Sequence, residues 1–98
     1  MNLNVRNAIT VALVQALLGA ISQNFRGVLL TFSEELHVRF YLEVESDVDS
    51  EEIDDVVTEF DGLLMGIHYV PIKYDVVVGR DRIDCSCDNV MPIFLRRR

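Results

Sequence analysis

Residues 36–45 read LHVRFYLEVE. Leu36, Val38, Phe40, Leu42 and Val44 alternate there with His37, Arg39, Tyr41, Glu43 and Glu45. Successive side chains of a strand point to opposite faces, so this stretch is a strand with one apolar and one polar face. Such a strand suits a sheet covered on one side only, the antiparallel habit. Just upstream, residues 26–32 offer Val28, Leu30 and Phe32 at the same period. Ser33, Glu34 and Glu35 make the turn, so the two stretches form a hairpin. Its apolar face needs a cover, and a helical pattern lies on either side of it in the chain.

The first helix is expected over residues 4–21, with Asn4 as its cap. Ala and Leu dominate its interior. Ile9, Leu13, Leu17 and Ile21 recur every four residues, and Val5, Ala12, Ala16 and Ala20 widen that stripe. Gly19, Ser22, Gln23 and Asn24 end it. The run AITVALVQALLGAI at 8–21 has the apolarity of a signal-peptide core. Only Arg6 precedes it as a basic residue, and Met1 heads the chain, so the run is expected to be retained. It is shorter than a bilayer needs and holds Gln15 in its middle, so it reads as a buried helix and not a membrane segment.

The second helix comes from EVESDVDSEEIDDVVTEFD at 43–61. With Asp49 as cap, Glu52 falls at the third helical position, the capping-box spacing, and Val48 and Ile53 sit where a hydrophobic staple would put them. The early acids Glu51, Glu52 and Asp54 favour the positive end of the helix dipole. The inner stripe is Ile53, Val56, Val57, Phe60 and Leu64, with Gly62 or Gly66 as the stop. Beyond it, residues 67–78 (IHYVPIKYDVVV) read as a third strand that Pro71 delays until about Ile72. GRDRIDCSCDN at 79–89 is a polar loop, and MPIFL at 91–95 is a short fourth strand before Arg96, Arg97 and Arg98. The order αββαββ makes an α+β two-layer sandwich, a small, mainly antiparallel sheet with both helices on one face.

A chain of 98 residues, half of them hydrophobic, is one domain with a core of its own. The net charge of −7 is unevenly spread. Residues 43–61 hold ten carboxylates and no Lys or Arg, whereas the remainder has nine basic and six acidic side chains. Phosphates would be repelled by the acidic segment, so nucleic acid is not its partner. A basic protein or a cation is favoured.

Several chemistries fail on the residues. A calcium loop starting at Asp47 would need Gly where Glu52 stands and a bidentate Glu where Thr58 stands. Cys85 and Cys87, two apart, make no disulfide scaffold and read as reduced thiols of a cytosolic protein. A zinc held by them with His37 or His68 would lack the usual second pair. Neither a nucleophile elbow nor a Gly-rich phosphate loop is present. Carboxylates crowded on an exposed helix are solvated, unlike the desolvated acid of a glycosidase. No catalytic residue, metal site or cofactor is therefore expected.

The acidic helix itself is informative. Glu51 and Asp55, then Asp55 and Glu59, are like charges at i and i+4, which opposes helix formation. A face kept only for solubility would interleave Lys and Arg. The expected use is a docking surface made of Asp47, Glu51, Glu52, Asp54, Asp55, Glu59 and Asp61. The outer sheet face carries His37, Arg39, Tyr41, Glu43, Lys73 and Asp75, and there Arg39 and Tyr41 are the expected second contact patch.

RNAITVALVQALLGAISQNFRGV at 6–28, LHVRFYLEVE, SDVDSEEIDDVVTEF at 46–60 and PIFLRRR at 92–98 together resemble a family of small acidic immunity proteins. These are encoded beside toxins in bacterial contact-dependent growth inhibition and related polymorphic toxin systems. The stretch 79–91 has no counterpart in the resemblance. It implies a cytoplasmic, non-catalytic protein that binds and blocks the C-terminal domain of one cognate toxin, often a nuclease with a basic cleft. It implies no membrane or nucleic-acid partner, and it carries over no interface residue. Two other readings stay open: a self-associating module whose acidic helix meets Arg96, Arg97 and Arg98 of a second copy in a homodimer, and a metal-binding accessory protein.

Overall fold

The computed structural model describes residues 2–67, 69–84 and 89–96, and LHVRFYL is one of the two inner strands of its sheet. The elements are α1 (Leu3–Leu17), β1 (Phe25–Phe32), β2 (Leu36–Leu42), α2 (Asp47–Leu64), β3 (Ile72–Val78) and β4 (Val90–Leu95). His68, Cys85, Cys87, Arg97 and Arg98, with the thiol and zinc readings, lie outside the described residues.

β1 and β2 pair antiparallel, with Val28 opposite Phe40, Leu30 opposite Val38 and Phe32 opposite Leu36. All six are buried, and they share one core with Ile9, Leu13 and Leu17 of α1 and Ile53, Val56, Phe60 and Leu64 of α2. Both helices therefore cover the same face. The centres of the apolar stripes read from the sequence are buried, and Val5, Ala20, Ile21 and Val57 are half-buried against them. β2 ends at Leu42, short of the expected Glu45, leaving Val44 exposed.

The sheet is mixed, which corrects the expected mainly antiparallel arrangement. Its order is β3-β2-β1-β4, and β3 runs parallel to β2. Helix length explains this. α2 has 18 residues, which at the helical rise carry the chain back about 27 Å. A strand of β2's length spans only about 23 Å. The chain thus returns to the end where β2 began, and β3 must run the same way, as in any βαβ unit. β4 pairs antiparallel with β1 on the other side, with a register slip between Val28 and Leu29.

Helix boundaries also differ from expectation. Asn2 caps α1, its side chain accepting the Val5 N–H at 2.9 Å, so Asn4 lies inside the helix. The helix ends at Leu17, and Gly19 takes a φ of 80° that its missing Cβ makes inexpensive, leaving Ile21 in the linker. At α2 the cap is Ser46, whose Oγ accepts the Asp49 N–H at 3.2 Å. Asp49 is therefore the third helical residue and not the cap. The expected staple is not made, because Val48 is 70% exposed.

The outer sheet face is less open than the alternation of β2 suggests. Past β3, the buried Arg26 side chain donates to the carbonyls of Gly79 at 2.9 Å and of Asp81. Ile83 then lies against Gly27, close enough that a Cβ on Gly27 would stand 2.8 Å from Ile83 Cδ1. Leu29, which faces away from the helices, is buried. Among the described residues, no helix is long and apolar enough to cross a membrane.

Candidate functional site

Burial of Ile53, Val56, Phe60 and Leu64 turns the opposite side of α2 to solvent. Asp47, Glu51, Glu52, Asp54, Asp55 and Glu59 are exposed, and Asp61 is half-buried. Helical spacing divides them. Asp47, Asp54 and Asp61, seven apart, run along one flank with Glu51 beside them. Asp55 lies at the crown. Glu52 and Glu59 run along the other flank, the side of Leu63, which lines a groove against Asn7, Val11 and Gln15 of α1.

The first flank overlooks β3. The Tyr74 hydroxyl donates to Asp54, and that bond, with some desolvation, holds the phenol above its ordinary pKa. The Tyr74 ring also meets Phe40 edge-on, with centroids 6.2 Å apart. Asp49 is set apart from the other acids. It is buried and accepts from Ser22 Oγ and Asn24 Nδ2, both at 2.9 Å. Asn24 in turn clamps Val44, donating to its carbonyl at 2.8 Å and accepting its N–H at 2.9 Å. This knot fixes the start of α2 against the α1–β1 linker.

No carboxylate of α2 meets a cation among the described residues. The ion pairs lie elsewhere: His37 and Arg39 on Asp75, Lys73 on Glu35, and Arg80 and Arg96 on Glu43. Arg6 stacks over the Phe32 ring at 4.6 Å. Glu43 of the acidic block is thus compensated, while the like charges on α2 meet no cation among the described residues.

Arg39 and Tyr41 lie on the far face of the sheet, so the structure does not bring them to the acidic helix. The parallel register sets Arg39 opposite Asp75. Arg39 Nε donates to both Asp75 oxygens, at 3.0 and 3.2 Å, and His37 Nε2 lies 3.1 Å away. Burial pushes the Asp75 carboxyl up, but its hydrogen bonds with Arg39 and His37 outweigh that and hold it below the usual carboxylate value. The bond to Asp75 raises the Arg39 guanidinium in turn. The expected second patch therefore has its Arg39 already engaged within the sheet.

Sequence reasoning missed Tyr74 and Arg26. Tyr74 shares a strand face with Val76 and Val78, but only the parallel register sets it beside Phe40 and under Asp54. Arg26 gave no signal, since one arginine in an apolar strand does not show which carbonyls it will meet. Among the described residues, no three His, Cys, Asp or Glu side chains gather as a metal site.

These features define a small α+β domain that displays a helix whose carboxylates meet no cation among the described residues. A family model described as MafI2 immunity protein matches residues 6–98, and the chain belongs to that family. Its role is accordingly that of an immunity protein, with a cognate toxin as the implied partner. No curated protein matches the chain.

Proposed function

We propose that the protein neutralises its cognate toxin in the cytoplasm, without catalysis, by laying α2 into a basic cleft of the toxin domain. The cleft of a nuclease fits best, because it attracts phosphates and would equally attract the carboxylates of α2. Occlusion of that cleft would keep substrate out. The supporting observation is that Asp47, Glu51, Glu52, Asp54, Asp55, Glu59 and Asp61 meet no cation among the described residues. Self-association through the C-terminal arginines is less favoured, because Arg96 is engaged by Glu43 at 3.3 Å within its own chain.

The test is the triple variant Glu51→Lys, Asp55→Lys and Glu59→Lys. These positions follow one another at spacings of four along the exposed side of α2. The changes relieve like-charge repulsion, so the melting temperature should hold or rise. Association with the toxin domain should slow at least about tenfold at low salt, and the parent's on-rate should itself fall as salt is added. A triple variant that binds and protects cells as well as the parent would leave the acids as a merely solvated face.

A further inference from the structure

The two edges of the sheet are built differently. β4 carries Pro92, and its pairing with β1 slips between Val28 and Leu29. A proline and a bulge are two of the ways proteins blunt an exposed edge. β3 has neither device. Pro71 precedes it, and its register with β2 runs unbroken from Ile72 to Val78.

The direction of its free backbone groups follows from two hydrogen bonds. The Pro71 carbonyl accepts the Leu36 N–H at 2.8 Å, and the Gly79 N–H donates to the Leu42 carbonyl at 2.9 Å. Backbone groups of successive strand residues turn to opposite sides, so Lys73, Asp75 and Val77 also face β2. The N–H and C=O groups of Ile72, Tyr74, Val76 and Val78 therefore point outward, where no strand pairs with them among the described residues. On the helix side of this edge, Tyr74, Val76 and Val78 are 40%, 36% and 48% exposed. Above them runs the α2 flank of Asp47, Glu51, Asp54 and Asp61, tied down by the Tyr74–Asp54 hydrogen bond.

We infer that the β3 edge receives a strand of the toxin domain, one with Lys or Arg at alternate positions. Its backbone would continue the sheet. Its basic side chains would turn to the helix layer, their aliphatic stems against Tyr74, Val76 and Val78 and their charged heads at Asp47, Glu51 and Asp54. A second copy of this chain fits less well. Antiparallel pairing of two β3 edges would bring two rows of α2 carboxylates side by side on one face. The inference rests on the toxin-binding reading and adds the structural element that is bound.

Hydrogen exchange of the intact protein, alone and with the toxin domain encoded beside it, tests this directly. The outward amides of Tyr74, Val76 and Val78 should be protected at least about tenfold more in the complex. In parallel, Val76→Pro removes an outward N–H and no ladder bond, so it should melt close to the parent while binding the toxin domain at least about tenfold more weakly. A complex in which those amides exchange as fast as in the free protein overturns edge pairing and leaves toxin binding standing. Failure to form any complex overturns both. Amides already protected in a salt-dependent homodimer would assign the edge to a second copy instead. If Val76→Pro does not fold, the exchange data on the parent still decide.

Discussion

The Asp49 carboxylate accepts the Ser22 hydroxyl at 2.9 Å across 27 residues of sequence. Asp49 is thereby a buried residue of the acidic block that serves the fold. Its other oxygen takes the Asn24 side chain at 2.9 Å, and Ser46 Oγ holds its N–H. Asp49→Ala would leave two polar side chains without their acceptor and loosen the start of α2. The expected cost is about 1–3 kcal/mol. Glu52→Ala, on an exposed position of the same helix, should cost far less. Denaturant titration of both variants checks the contrast, and equal losses would show that Asp49 is no more structural than its neighbours.

Phe40 is fully buried in the middle of the shared core. Phe40→Ala should cost about 3–5 kcal/mol through lost burial and a cavity. That is a large part of a domain stability of roughly 5–15 kcal/mol. A melting temperature close to the parent's would contradict the facing of β2.

Gly27 marks the crossing of the 79–84 segment over the sheet. A Cβ there meets Ile83 Cδ1 at 2.8 Å, Leu95 Cδ2 at 3.2 Å and the Phe94 carbonyl at 3.2 Å. Gly27→Ala should destabilise by about 1–3 kcal/mol, as overpacking does. Adding Ile83→Ala removes the nearest clash, so the double variant should lose less than the sum of the two single ones. Strict additivity would show that Ile83 does not press on Gly27.

The Asp75 carboxyl has its pKa lowered in the folded state, its hydrogen bonds with Arg39 and His37 outweighing burial. Its contribution to stability is therefore present above the unfolded-state value and is lost as pH falls through the lowered folded one. Asp75 is 43% exposed at its side chain, so solvent keeps the effect modest. Asp75→Asn removes that contribution, so in denaturant titrations the variant should be modestly less stable than the parent above the acid limb, with the gap closing as pH falls and the limb itself flattened. An unchanged acid limb would show that Asp75 is not held ionised by its partners.

How much of this could be read from the chain follows from the range of the forces involved. The alternation around Phe40 and the stripe of Ile53, Val56, Phe60 and Leu64 are local patterns, because strand and helix periods act over a few residues. The charge of residues 43–61 is local too, and so is its exposure, since so many carboxylates on one helix must face water. The cap of α2 was three residues out because Ser46, Asp47 and Asp49 are all residues that cap helices, and only contacts with Ser22 and Asn24 draw Asp49 inward. The direction of β3 was invisible in its residues, because a strand alternates identically in parallel and antiparallel pairing. It was decided by the return path along α2. The same register, a tertiary fact, engages Arg39 with Asp75, raises Tyr74 to Asp54 and leaves one edge of the sheet open beneath the acidic flank. Sequence by itself determined which helix and strand faces are apolar and where the charge lies, since solvation acts on each segment separately. Tertiary structure decided which flank of that charge overlooks which strand, since such neighbours are chosen by the packing of segments far apart in the chain.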